Sequence, residues 1–283
     1  MRYSAVAVVL LLGAGCRPTS DPAPAGAGVA AVFDGSGGRW VDLTHPFSEA
    51  SVYWPTDTLG FTLEQLAYGP TPGGFFYAAN RYAAAEHGGT HLDAPVHFAE
   101  GRQAADEIPL SSLIGPAAVV DVSARATADY QVSVDDLLEW EAAHGPIPDG
   151  AILLVRTGWG ERYGDRASYL GTDRKGAEAV PHLHFPGLAP EAAEWLVANR
   201  SIDAFGIDTP SLDHGQSTDF RAHVILLERN IPGFENVAEL DQLPPVGSFV
   251  LALPMKIAKG SGGPLRIVAF VPGMNGPGVP PRP

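Results

Sequence analysis

Apolar and polar positions along the chain fall into short runs whose period changes, and the changes predict strands alternating with helices. Residues 39–44 carry Trp40, Val41 and Leu43 and read as a first strand ending at His45-Pro46. Residues 61–66 and 75–85 are strand candidates joined by the loop Gly69-Pro70-Thr71-Pro72-Gly73-Gly74. Residues 114–122 and 151–157 are apolar at nearly every position and predict buried strands. Between them Ser133 precedes an acidic first turn, Asp135-Asp136, and Leu137, Leu138 and Trp140 recur at helical spacing, which predicts a capped helix. Residues 190–199 predict a helix that starts on proline, 202–207 a third strand, 219–230 a helix holding His223, and 249–253 and 265–270 two more strands. Strand, helix, strand is the order of an α/β fold, and there is no internal repeat.

The two ends fall outside this pattern. Residues 1–16 combine Arg2, an uncharged apolar run over 5–12 and the small residues Gly13-Ala14-Gly15 before Cys16. That is an export signal, too short for the ~20 residues of a membrane span. Cys16 directly follows Gly-Ala-Gly as in a bacterial lipobox, with the usual leucine displaced by one position to Leu12. The expectation is lipidation at Cys16 and a lipid-anchored, periplasm-facing protein, the alternative being an ordinary signal peptide and a soluble periplasmic product. Residues 17–38 are rich in Pro, Ala, Gly and Ser and read as a flexible tether. One domain is expected over 39–273, followed by a Pro/Gly tail over 274–283.

Composition narrows the function. Hydrophobic residues at 45% and charged residues at 18% suit a globular protein with a substantial core. Acidic residues outnumber basic ones 32 to 18, for a net charge of −14, which argues against nucleic acid and against any membrane contact other than the N-terminal lipid. A single cysteine leaves no intramolecular disulfide and no thiolate site, so the chemistry must use nitrogen and oxygen donors.

Such donors concentrate in Glu86-His87-Gly88-Gly89-Thr90-His91-Leu92-Asp93-Ala94-Pro95-Val96-His97. Imidazole and carboxylate are the usual ligands of Zn²⁺ or Mn²⁺, and about three protein donors suffice for a catalytic ion. Gly88-Gly89 and Pro95 disfavour a helix, so a loop running into a short strand is expected. On such a strand His91 and Asp93 share a face, and the glycines let His87 fold back toward them. His97, beyond the Asp-Ala-Pro turn, is the candidate acid/base. His182-Leu183-His184 is a weaker rival that lacks a carboxylate cluster. Asp208 and Asp213 follow a strand end, where α/β proteins gather their sites, although turn or capping roles suit them equally. Trp54, beside Pro55, is a candidate pocket residue, and spacing alone marks neither His223 nor Glu235.

The string from His87 to His97 resembles the H-x-G-T-H-x-D-x-P-x-H signature of the cyclase-like metal-dependent hydrolases, which include bacterial kynurenine formamidase and isatin hydrolase. The resemblance implies an α/β domain around a mixed sheet closing toward a barrel with flanking helices. It also implies one or two divalent ions, Zn or Mn, held by His87, His91 and Asp93, and by Asp93, His223 and Glu235, with Asp93 bridging. His97 would then act as acid/base, while Trp54 and Asp208 border a small-molecule substrate. The implied reaction is hydrolysis of a carbon–nitrogen bond in an aryl or cyclic amide by a metal-activated water, and the implied assembly is a homo-oligomer. Lactone or ester hydrolysis at the same centre, or a non-catalytic lipoprotein that binds metal or a small ligand, are the alternatives.

Overall fold

The computed structural model describes residues 27–273. The export segment, Cys16 and the 274–283 tail lie outside the described residues. In chain order the elements are α1 (Ala27–Phe33), β1 (Gly38–Asp42), β2 (Thr62–Pro70), β3 (Phe76–Ala83), β4 (His91–Asp93), β5 (Ile114–Asp121), β6 (Gln131–Val132), α2 (Val134–His144), β7 (Ile152–Arg156), α3 (Arg166–Leu170), β8 (Gly187–Leu188), α4 (Pro190–Asn199), β9 (Ala204–Ile207), α5 (Arg221–Leu227), β10 (Gly233–Glu235), β11 (Val246–Pro254) and β12 (Gly262–Pro272).

Strands run in the order β1-β12-β11-β5-β7-β9-β10-β4, and β4 pairs back onto β12, which closes the sheet into a barrel. The mixed α/β sheet expected from the sequence is therefore a closed one. From β5 through β7 and β9 to β10 the pairing is parallel, with α2, α4 and α5 as crossovers, and the other pairs of this sheet are antiparallel, while β6 and β8 form a separate parallel pair. Strand β1 lies on β12 next to β4, pairing with residues 268–272.

The run Ile152 to Val155 has no polar break because both of its faces are covered. Ile152 and Leu154 point into the barrel with Leu92, Phe234 and Ile267. Leu153 and Val155 point outward against Leu137, Leu196 and Leu226 of the helices. Each such side chain, wholly buried, contributes about 1.5–3 kcal/mol. Helix α2 starts where Ser133 predicts: its hydroxyl accepts the Asp136 N–H at 3.2 Å, and the Asp136 carboxylate accepts the Ser133 N–H at 2.7 Å. That reciprocal pair satisfies two donors that a bare helix end leaves open.

Two local expectations are corrected. Within the stretch read as a tether, residues 27–33 form α1, and its carbonyl at Val32 accepts the Trp40 indole N–H at 3.0 Å while Phe33 stacks on the same ring. Helix α5 is shorter than 219–230 because Phe220 (φ 49°) and Asn230 (φ 56°) adopt left-handed backbone that a helix cannot continue through. Strands β2 and β3 form a sheet of their own and pair with no other strand of the described residues.

Candidate metal centre

Strand β4 is three residues long and lies between β10 and β12. Alternation turns Leu92 into the barrel core and His91 and Asp93 to the opposite side. The register with β10 sets Glu235 opposite His91. His223 reaches the same spot from α5, and the Gly88-Gly89 turn brings back His87. Gly89 has φ +60°, and the Tyr53 and Phe47 rings pack where Cβ atoms on Gly88 and Gly89 would stand, so only glycine lets the loop return this closely.

The five side chains meet around Asp93. Its Oδ1 lies 2.6 Å from His87 Nδ1 and 3.2 Å from His91 Nε2, and its Oδ2 lies 3.3 Å from His223 Nε2. Glu235 closes the cluster, with Oε1 3.0 Å from His223 Nε2 and Oε2 3.4 Å from His91 Nε2. His97 stands beside them, its ring stacked on His87 with centroids 3.8 Å apart. One of its ring nitrogens falls within 4.8 Å of a His87 ring nitrogen and of an Asp93 carboxylate oxygen.

The outer nitrogen of each imidazole settles what the inner one does. His91 Nδ1 donates to the Gly89 carbonyl at 3.0 Å, and His223 Nδ1 donates to Asp213 Oδ2 at 2.6 Å. The Ser261 hydroxyl donates to Glu86 at 2.6 Å, so it accepts from His87 Nε2 at 2.8 Å. In their neutral forms all three rings then aim a lone pair at carboxylate oxygens, and two lone pairs repel unless a proton or a cation lies between them. His91 Nε2 is buried with no hydrogen-bond partner of adequate geometry. The donor set fits a divalent metal: nitrogen and oxygen ligands, outer contacts that fix each tautomer, and two buried carboxylates in need of positive charge.

Titration behaviour agrees. Burial opposes the charged form of His91, but Asp93 and Glu235 outweigh it and raise the ring to about 9. Burial also opposes charge on His223, and Asp213, Asp93 and Glu235 raise it well above its ordinary value. Burial and the adjacent Asp93 raise the Glu235 carboxyl. Protons thus take the place of a cation here. His97 goes the other way: burial, with the neighbouring imidazoles, lowers it to about 4 against the pull of Asp93, so it is neutral at pH 7.

Next to the cluster is a cavity of about 260 Å³ with apolar walls that include Val52, Tyr53, Trp54, Phe98 and Phe220. Trp54 packs edge-on to Phe185 and Phe220. No lysine or arginine lines it among the described residues.

The structure thus brings together His87, His91, Asp93, His97, His223 and Glu235, with Trp54 on the cavity wall. Asp208 is a correction. It does not line this cavity: its buried carboxylate accepts the Thr157 N–H at 2.9 Å, the Thr157 hydroxyl at 2.6 Å and the Gly158 N–H at 2.9 Å, which ties the turn after β7. The rival histidines also stand apart, His182 on Arg174 and His184 on Asp129. Sequence reasoning missed Glu86, Ser261, Phe98 and Phe220. Glu86 adjoins the motif, but its partner Ser261 is 175 residues away, and no local pattern links them.

Similarity to known proteins bears on this arrangement. Residues 41–214 match the Cyclase family model, described as "Putative cyclase". The chain is 36% identical over 209 residues to isatin hydrolase of Roseibium aggregatum, covering 70% of this chain and 77% of that protein. It is 34% identical over 185 residues to kynurenine formamidase of Salinibacter ruber, covering 64% and 74% respectively. The solved structure of isatin hydrolase A from Ralstonia solanacearum superposes with a TM-score of 0.77 at 35% identity, over 90% of this chain and 100% of that one.

Proposed function

The chain belongs to the cyclase family of metal-dependent hydrolases, and on that premise we propose that it hydrolyses a carbon–nitrogen bond in a small aryl or cyclic amide. Isatin hydrolase and kynurenine formamidase, the relatives, both act on such bonds. The observation that carries the reading is the orientation of His87, His91 and His223, each with its outer nitrogen committed as a donor and its inner lone pair turned to Asp93 or Glu235.

His87, His91, Asp93, His223 and Glu235 would hold one or two ions, and the nitrogen and oxygen donors suit Zn²⁺ or Mn²⁺. When bound, such an ion supplies Lewis acidity and lowers the pKa of water toward neutrality. The protein's own share follows from position. His97, neutral and bordering the cavity, accepts the proton of the attacking water and returns it to the departing nitrogen. Trp54, Phe98 and Phe220 clamp an aromatic ring and keep bulk water from its carbonyl.

The wall also selects. An amino-acid substrate such as a formylated kynurenine brings a carboxylate that calls for a cationic side chain, and no lysine or arginine lines the cavity among the described residues. A neutral, planar ring amide of the isatin type fits better. The test is a turnover assay of the Zn²⁺- or Mn²⁺-loaded protein on isatin, formanilide and an aryl lactone, with and without chelator. Chelator-sensitive turnover of isatin above the others is expected; metal binding without turnover of any of them would sink the reading.

The same reading extends to location. The charge-free run before Cys16 supports export and the Gly-Ala-Gly-Cys string supports lipidation; we infer from them a lipid-anchored enzyme facing the bacterial periplasm, with a soluble periplasmic product as the alternative. Labelled palmitate should enter the protein in a bacterial host and vanish from Cys16→Ala.

A further inference from the structure

We propose that Asn236 is a catalytic residue: one N–H of its carboxamide donates to the carbonyl oxygen of the substrate and holds the negative charge that gathers there. The assignment rests on the amide-hydrolysis reading above and extends it to a residue outside the proposed ligands. Asn236 directly follows Glu235 at the end of β10, is 2% exposed and lines the cavity beside the cluster.

Hydrogen bonding settles which way the amide faces. The Gly89 carbonyl can only accept, so the atom 2.7 Å from it is Nδ2, and Oδ1 accepts from the Tyr169 hydroxyl at 2.8 Å. A primary amide carries two N–H donors. Gly89 takes one, and no group of the described residues takes the other. A buried donor without a partner is costly, and the open space that this residue borders is the substrate cavity. An acceptor bound there removes the cost. The residue is also held still: its backbone N–H donates to the Thr209 carbonyl at 2.9 Å, and its own carbonyl accepts the Thr90 hydroxyl at 2.7 Å. These bonds keep a left-handed backbone, φ 55°, that asparagine tolerates better than most side chains.

The reaction calls for such a donor. Addition of the water oxygen to the carbonyl carbon moves the π pair onto the carbonyl oxygen. When that pair returns, the carbon–nitrogen bond breaks, and the nitrogen leaves with the proton that His97 took from the water. Full charge sits on the oxygen only between those two events, so an N–H that meets it acts on kcat rather than on KM. A donor fixed before the substrate arrives needs no reorganisation as the charge develops. With no lysine or arginine on the lining among the described residues, a neutral amide suits a neutral ring substrate.

Asn236→Ala, saturated with Zn²⁺ or Mn²⁺, should lose about 10²–10³-fold in kcat on isatin with KM little changed, the range for removal of one such donor. Asn236→Gly, which suits the left-handed backbone, should show the same loss. Gly89 keeps its N–H bond to the Val52 carbonyl at 2.8 Å and its carbonyl keeps His91, so metal affinity should hold in both variants. A second readout needs no turnover: in metal-free protein mixed with isatin isotope-labelled at the amide carbonyl, the infrared band of that carbonyl should lie lower for the parent than for Asn236→Gly. Parental kcat in either variant, a kcat restored by excess metal, or the same band in both proteins overturns the assignment while leaving the hydrolase reading intact. A parent that turns over no amide sinks that reading, and this assignment with it.

Discussion

Asp213 holds His223 from behind: Oδ2 accepts the Nδ1–H at 2.6 Å, and the same carboxylate accepts the backbone N–H groups of Ala222 at 2.9 Å and His223 at 3.2 Å. The contact fixes which nitrogen faces Asp93 and Glu235. Asp213→Asn leaves the backbone contacts possible but weakens the ring's orientation, and loss of such an outer partner costs about 10–100-fold in metal affinity. Titration with a competing chelator should show that loss, with the far-ultraviolet spectrum unchanged.

His97 and the five proposed ligands separate by experiment. His97→Ala should keep its metal and lose about 10²–10⁴-fold in kcat, the range that a general acid/base supplies. His91→Ala should lose both metal and turnover. Elemental analysis beside steady-state rates distinguishes the two, and a His97→Ala protein that arrives metal-free would make that residue a ligand instead.

Protons and metal compete at this centre. In the metal-free chain His91 stays protonated up to about 9, above its ordinary 6.5, because Asp93 and Glu235 outweigh the cost of burial. Zn²⁺ added at pH 7 must therefore displace protons, and the enthalpy measured by calorimetry should depend on the ionisation enthalpy of the buffer. The sign for stability follows. A raised folded pKa gives stabilisation that is complete below 6.5 and lost as pH climbs through about 9. Metal-free protein should melt progressively earlier across that window, and metal-loaded protein should not.

Gly88 tests the loop. A side chain there would overlap the Tyr53 ring, which is itself almost wholly buried. Gly88→Ala should cost about 1–3 kcal/mol, the usual penalty for overpacking, and weaken metal binding because His87 is displaced with the loop. Denaturant unfolding of the metal-free variant isolates the first effect and a metal titration the second.

Much of this was legible in the chain because it is local. His87, His91, Asp93 and His97 lie within one loop and strand, and period-two alternation alone puts His91 beside Asp93. The continuous apolar runs of β5 and β7 predicted strands covered on both sides. His223 and Glu235 carry no local mark, and only the resemblance to a known family singled them out. Asp208 misled because a carboxylate at a parallel strand end serves a turn or a site equally well, and only tertiary contact with Thr157 and Gly158 decides. Phe98 and Phe220 are ordinary apolar residues until the fold puts them on one wall. The hairpin over 62–83 read as two strands, but nothing in its composition says that it leaves the body, since exposed and buried apolar strands are spelled alike.

Strand β4 is the last stave of the barrel as well as the bearer of two candidate ligands, held by β10 on one side and β12 on the other. A chain caught during refolding before this stave drops into place has neither a sealed interior nor a cradle for a cation. Ring closure and reconstitution of the centre therefore belong to one cooperative event, and amino-acid changes deep in β10 or β12 should surface first as lost catalysis.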